Sequence, residues 1–336
     1  MSPFSYMRAE DLASAVRAAN ALSASSASSA FLAGGTTLVD CMKLDVINAD
    51  RLVDINGLQK DHGFIELRAD GLYLGALARM AQVAEHPAVN REFPVIAQTM
   101  RFAASAQLRN MASLGGNVLQ RSRCTYFRDT SWTACNKRQP GSGCAAMTGV
   151  QRGHAVLGTS ESCISTYPGD FAQALVALDA RVQTVGRAGP RVLRFEDLHR
   201  GADTPDVETV LQPGEIITGF MVPAGPWTRR SRYVKVRDRA SYEFALASAA
   251  VALDINSDGR VREARIGLGG LAYKPWRARA AESFLQGKPI DEQSAAEAGR
   301  LALQDARPQA GNAFKIELGA RTVARSLLEA ARMELA

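Results

Sequence analysis

Four of the five cysteines, Cys124, Cys135, Cys144 and Cys163, fall in one short, glycine-punctuated, basic stretch, and any fold of this chain has to bring that stretch to order. Ten residues lie between the first two, eight between the next two and eighteen between the last two. A zinc ribbon uses tighter CxxC pairs, and the ferredoxin runs are tighter as well. Four thiolates on a loop can nevertheless wrap one cubane, while disulfides and unlinked thiols stay open on spacing alone. The segment has few apolar residues, so its order is expected to come from whatever its thiols bind.

The formal charge of +6 is concentrated in the same place. Between Arg101 and Gly153 the basic residues are Arg101, Arg109, Arg121, Arg123, Arg128, Lys137, Arg138 and Arg152, and the only acid is Asp129. Nucleic acid is disfavoured, because the stretch matches no recognition module. A dinucleotide pyrophosphate beside a thiolate cluster calls for the same arginines. At 336 residues and 46% hydrophobic the chain suffices for two or three cored units. It shows no apolar run long enough to span a membrane and no secretory signal order at its start.

Leu12, Val16, Ala19 and Leu22 recur at helical spacing, and the Ser-rich stretch Ser23 to Ser29 is expected to end that helix. A buried strand Ala30 to Ala33 then enters Gly34-Gly35-Thr36-Thr37, with a helix Leu38 to Leu44 and a strand Arg51 to Ile55 beyond. A hairpin of Phe64 to Arg68 and Leu72 to Leu77 turns at Asp70-Gly71. Helices are expected over Arg79 to His86, Pro94 to Ala104 and Phe171 to Leu178, with a loop from Leu114. Strands are expected at Arg181 to Val185, Arg191 to Phe195 and Glu215 to Val222. After Pro223-Ala224-Gly225-Pro226 come three strands, Tyr233 to Arg237, Ala245 to Ile255 and Arg260 to Leu268, and then helices.

Two glycine turns, Ala33 to Thr37 and Ser113 to Asn117, offer backbone N–H groups to an anion. The GxGxxG fingerprint is absent from the first of them, which counts against a Rossmann domain. Gly267-Leu268-Gly269-Gly270 lies late in a hairpin and is read as structural.

The segments FLAGGTTLVDCMKL, LRNMASLGGNVLQ, YPGDFAQALVALDA and YVKVRDRASYEFALASAA together resemble the FAD-binding subunit of the xanthine dehydrogenase family of molybdenum hydroxylases. The insertion from Arg123 to Cys163 resembles the branch whose flavin subunit carries an extra [4Fe–4S] cluster, as in bacterial periplasmic aldehyde oxidoreductases. The resemblance implies an α+β fold with a two-lobed FAD-binding domain of the vanillyl-alcohol oxidase (PCMH) type. Residues 1–224 would form it, in lobes of about 1–58 and 59–224 with the cysteine insertion at 121–165. A domain like the CO dehydrogenase flavoprotein C-terminal domain, three strands and helices, would occupy 228–336.

By the same resemblance, Ala30, Phe31, Leu32, Ala33, Gly34, Gly35, Thr36, Thr37 and Leu38 would wrap the pyrophosphate of FAD. Ala103, Ser113, Gly116 and Asn117 would form a second wall, Asp170 would hold the adenosine end, Ile217 would lie against the ring system, and Lys235 would sit near the flavin edge. Cys124, Cys135, Cys144 and Cys163 would ligate the [4Fe–4S] cluster. Plainer roles stand beside these: Asp170 as a helix cap, Lys235 as a solvated lysine, and Tyr242 and Phe244 as core or interface aromatics. Cys41 reads as a buried small hydrophobe, and the four histidines match no ligand motif.

The implied function is electron transfer within a heterotrimeric aldehyde oxidoreductase. A large molybdenum-cofactor subunit would oxidise the substrate, a small subunit with two [2Fe–2S] clusters would pass electrons to this chain's FAD, and an external acceptor would take them. No acid–base catalyst is then needed in this chain. A stand-alone flavin reductase of the same fold and a non-enzymatic metal-binding subunit are the alternatives. The expected location is the periplasm by co-export with a signal-bearing partner, or the cytoplasm.

Overall fold

Leu52 and Val53 are neighbours in sequence and both are buried, because the strand that carries them is covered on both faces. In the computed structural model, which describes residues 1–21 and 28–335, strands β1 (Ser5–Arg8), β2 (Ser29–Leu32) and β3 (Arg51–Asp54) form a parallel sheet with β3 in the middle. Successive side chains of a strand face opposite ways. Val53 therefore joins Ala15, Val16 and Ala18 of helix α1 (Leu12–Asn20), while Leu52 joins Met42 of helix α2 (Leu38–Lys43). Strand β1 was not anticipated: all four of its residues are exposed, so no alternation marks it. Leu22 and most of the Ser23 to Ser29 stretch lie outside the described residues.

The second sheet is antiparallel and five-stranded, in the order β4 (Ile65–Arg68), β5 (Gly71–Gly75), β8 (Ile216–Pro223), β6 (Arg181–Gly186), β7 (Gly189–Arg194). Helices Pro94–Phe102 and Phe171–Ala177 share its core. Almost every residue of Phe171–Ala177 is fully buried, as expected for a helix with no polar face.

The third sheet, β9 (Ser231–Val236), β10 (Ala247–Ile255), β11 (Val261–Gly269) and the two-residue β12 (Trp276–Arg277), carries three helices, Arg279–Leu285, Glu292–Ala302 and Phe314–Ala331. The sequence suggested three strands here; β12 is the fourth, too short to carry a pattern. Tyr233, Ala250 and Ala252 of this sheet belong to the core of the second, so the two are continuous. The loop expected from Leu114 begins instead as a short helix, Leu114–Val118, capped where Ser113 Oγ accepts from Gly116 N.

The cysteine segment holds little regular structure: helix Thr125–Arg128, a single 3-10 turn Ala145–Met147, and isolated bridges Cys135 to Cys144 and Ser160 to Cys163. Its own side chains also tie it down. Tyr126, Ala146 and Ile164 make a small core, Tyr126 Oη accepts from Val150 N, and Arg138 donates to the carbonyls of Tyr126 and Phe127. Order in this segment therefore comes partly from its own side chains, more than its composition suggested.

Candidate functional site

The first glycine turn closes against the chain leading into the second, and the contact explains one glycine of the first. A Cβ on Gly34 would lie 2.0 Å from the carbonyl oxygen of Met111, so only glycine lets the first turn close against the chain leading into the second. Gly35 has φ +73°, a left-handed conformation that costs an L-residue about 1–2 kcal/mol. A Cβ there would also meet Val39 and Leu32 at 3.3 and 3.4 Å.

The turns differ in what their backbones offer. At the second, the N–H groups from Leu114 to Asn117 are taken: Leu114 N donates to Ala78 O, Gly115 N to Ala76 O, Gly116 N to Ser113 Oγ and Asn117 N to Ser113 O. At the first, the N–H groups of Gly34, Gly35, Thr36 and Thr37 have no acceptor among the described residues, and the Thr37 side chain makes no cap. The anion-seeking backbone is the first turn; the second is a wall.

Between them runs a groove of about 480 Å³ lined by Thr36, Thr37, Ala103, Gly116, Asn117 and Asp170 among the residues picked out from sequence. Asn117 Oδ1 is buried with no partner among the described residues, a cost that a bound donor would relieve. Ala30, Leu32 and Leu38 pack into one small core, and Phe31 and Ala33 into another. Ile217 belongs to the core of the second sheet, away from the groove.

Asp170 does not cap the helix after it. Its backbone is already helical, φ −93° and ψ −43°, whereas a capping residue is normally extended. Its carboxylate instead accepts from Tyr233 Oη and pairs with Lys235 Nζ at 2.8 Å, with both ion-pair side chains at 6% exposure or less. Lys235 is thus buried, not solvated, and also donates to Phe102 O. Since the two charges touch, they stand at one point of the groove and cannot serve opposite ends of a dinucleotide.

Several groove residues carried no signal that set them apart in sequence. Asp40 on α2 receives both Arg123 at 2.8 Å and Arg128 at 2.9 Å, so the basic segment reaches across to the first lobe. Arg239, Tyr242, Glu243 and Phe244 close the far side. Tyr242 and Phe244, read as core or interface aromatics, line this groove, with Tyr242 at 56% exposure. The signal that could have found them is their place in the β9–β10 connection, seven and nine residues past Lys235.

The four clustered cysteines are brought together. All five cysteines are free thiols, and Cys124, Cys135, Cys144 and Cys163 line one narrow cavity with Tyr126, Lys137 and Ser165. Cys41 is buried on α2 instead. Among the described residues no three His, Cys, Asp or Glu side chains are drawn close enough to share a single metal ion. Burial pushes the Cys124 thiol up to about 11. A thiol–thiol hydrogen bond raises Cys144 and lowers Cys163, with Lys137 helping to hold Cys163 down. Lys137 is almost fully buried and bridges Glu208 at 2.7 Å and Tyr273 Oη at 2.9 Å. His154, given no chemistry from sequence, places Nε2 3.2 Å from Cys124 Sγ. Burial, and then Lys315, lower its pKa.

An α+β fold whose glycine turn has N–H groups without an acceptor among the described residues, at a groove lined by Thr36, Thr37, Arg123, Arg128 and Arg239, suits a protein that binds a dinucleotide. Comparison with known proteins makes this specific. The family described as FAD binding domain in molybdopterin dehydrogenase matches residues 2–225, and the CO dehydrogenase flavoprotein C-terminal domain matches 232–330. The chain is 44% identical to the aldehyde oxidoreductase FAD-binding subunit PaoB of Escherichia coli (strain K12), over 98% of this chain and 99% of that one. It is 26% identical to the glyceraldehyde dehydrogenase medium chain of Sulfolobus acidocaldarius, over 86% of this chain and 83% of the relative. A chain of quinoline 2-oxidoreductase from Pseudomonas putida 86 shares the fold, with a TM-score of 0.76 at 22% identity over 100% and 99% of the two chains. The chain therefore belongs to the FAD-binding medium subunits of the multi-subunit molybdenum hydroxylases, an oxidoreductase family. Among the described residues no helix is long and apolar enough to cross a membrane.

Proposed function

We propose that this chain is the FAD- and [4Fe–4S]-carrying subunit of a heterotrimeric molybdenum-containing aldehyde oxidoreductase. It would take electrons from the [2Fe–2S] clusters of a small partner, which drain a large molybdenum-cofactor subunit, and pass them to an external acceptor. Residues 1–224 are read as the flavin domain, in lobes of about 1–58 and 59–224, and 228–336 as the closing domain. A complex exported with a signal-bearing partner would work in the periplasm.

In this reading Gly34, Gly35, Thr36 and Thr37 hold the pyrophosphate through their unpaired N–H groups, and each such bond to a charged oxygen is worth about 1.5–3 kcal/mol. Arg123 and Arg128 flank it. They are now held by Asp40, whose carboxylate keeps the guanidinium groups aimed into the groove. Asn117 supplies an acceptor, and Ser113 and Gly116 keep the second wall in place. The Asp170–Lys235 pair fixes the seam between helix Phe171–Ala177 and β9, with Tyr242 and Phe244 as the outer wall. When bound, FAD supplies the exchange between paired and single electrons, and the cluster supplies one-electron transfer. The polypeptide binds, orients and shields.

The observation that carries the reading is that four thiols from a 40-residue stretch line one cavity beside an FAD groove. Four thiolates lining one cavity select a soft metal centre, and Cys₄ is a ligand set of iron–sulfur clusters. Metal and flavin analysis tests it: about four irons beyond those of the partner clusters, and one FAD released by acid, are expected. Zinc in place of those irons would contradict it.

A further inference from the structure

We propose that His154 is a positioning residue for the cysteine site: it donates an N–H···S hydrogen bond to Cys124 and thereby sets the potential of the cluster on the side facing the flavin groove. This rests on the cluster reading above.

The geometry is local and specific. Nε2 lies 3.2 Å from Cys124 Sγ, within reach for a sulfur acceptor, and Nδ1 is buried with no partner among the described residues. The contact with sulfur is thus the one hydrogen bond that orients the ring. A neutral imidazole carries one N–H, and a ligating thiolate can only accept, so the proton is assigned to Nε2. The ring stands tilted against Tyr126, 6.1 Å between centroids.

The main chain of His154 is anchored from the C-terminal region. Its N–H donates to Gln151 O at 2.8 Å. Its carbonyl accepts from Lys315 Nζ at 2.9 Å and from Asn312 Nδ2 at 3.3 Å. Both donors are completely buried. Helix Phe314–Ala331, far along the chain, thus fixes where the imidazole points.

The place of this contact gives it a direction. Cys124 and His154 line a cavity whose wall includes Arg123, Pro168, Glu243 and Phe244, and those four residues also line the flavin groove. Of the four clustered cysteines, Cys124 is the one that lines both this cavity and the thiol cavity. A donor aimed at a ligand sulfur stabilises the more negative, reduced cluster, because hydrogen bonds to the sulfurs raise its potential. His154 therefore makes the cluster easier to reduce at the ligand nearest the flavin.

The test is a potentiometric titration of the purified complex, followed by low-temperature EPR, for wild type, His154→Phe and His154→Gln. Expected is unchanged iron, a more negative cluster potential in His154→Phe, and recovery of most of the shift in His154→Gln, whose amide N–H can reach the same sulfur. A ring that merely filled space would give the opposite ranking, with Phe the milder change. An unshifted potential in His154→Phe with the cluster intact overturns this inference alone. Should His154→Phe lose iron, His154→Gln decides: iron at the wild-type potential supports the hydrogen bond, and loss of iron there too overturns it. A wild-type complex without any [4Fe–4S] signal overturns the reading of the site and this inference with it.

Discussion

The flavin groove and the thiol cavity lie side by side and are built in opposite ways. The groove is a property of backbone. Gly34 closes on Met111, Gly35 holds a left-handed φ, and the N–H groups of Gly34, Gly35, Thr36 and Thr37 have no acceptor among the described residues. The thiol cavity is a property of side chains. Its segment has almost no regular structure and is held by Tyr126, Arg138 and the Lys137–Glu208 pair. The first turn of the groove should therefore fail on changes that move its backbone, whereas the cavity should fail on single side-chain atoms.

The largest expected effect is on the side-chain half of that contrast. Exchanging one sulfur for oxygen in Cys144→Ser, or in any of Cys124, Cys135 and Cys163, should remove about four irons per chain, since in the proposed function each thiolate ligates the same cubane. Cys41→Ser should leave iron unchanged. Iron analysis decides, and full iron content in Cys144→Ser would dissolve the contrast.

Next in size is the buried pair that joins the groove to the third sheet. Removing one partner in Asp170→Leu leaves the Lys235 charge buried and unpaired, which costs about 3–5 kcal/mol, read as a large fall in thermal midpoint. Lys235→Met should be similarly costly, and the double variant milder than the sum. Strict additivity would mean that the pair is not coupled.

The backbone half is tested by two alanines. Gly34→Ala forces the turn off Met111, and losing even two charge-assisted bonds to the phosphates weakens FAD about a hundredfold or more. Gly116→Ala meets only Ser113 Oγ, at 3.1 Å, and should keep most of its flavin. Equal flavin occupancy in the two variants would mean that the phosphates lie elsewhere.

The smallest effect is on acid stability. Burial would raise the Glu208 carboxyl, but Lys137 and Arg121 outweigh it and hold its pKa below the usual carboxylate range. A lowered folded-state pKa gives stability that is present above the ordinary Glu value, about 4.3, and lost as pH falls toward and through the folded value. Glu208→Gln should flatten the acid limb of a stability–pH curve by on the order of 1 kcal/mol, less for its partial exposure. An unchanged acid limb would remove Glu208 from the loop's supports.

How much the sequence disclosed follows the same division. Gly34 and Gly35 were legible because backbone demands are written in residue type, and the strands around them because β3 and β5 are buried runs. The two turns looked equivalent, yet only hydrogen-bond partners far away in sequence, Ala76 and Ala78, show that Leu114 and Gly115 of the second have no N–H to give. Strand β1 hid because it is wholly exposed. Asp170 and Lys235 were each singled out, but their contact spans 65 residues and no spacing rule predicts it. His154 hid for the same reason, lying 30 residues from Cys124.

The central claim is that one FAD groove and one iron–sulfur site share this chain. Mössbauer spectroscopy of the ⁵⁷Fe-enriched complex, with acid-released flavin counted in the same sample, tests it most directly. The account predicts one [4Fe–4S] signal and one non-covalent FAD per copy of this chain, beside the partner's [2Fe–2S] signals. A spectrum holding [2Fe–2S] signals alone, with zinc or free thiols at Cys124, Cys135, Cys144 and Cys163, would contradict it.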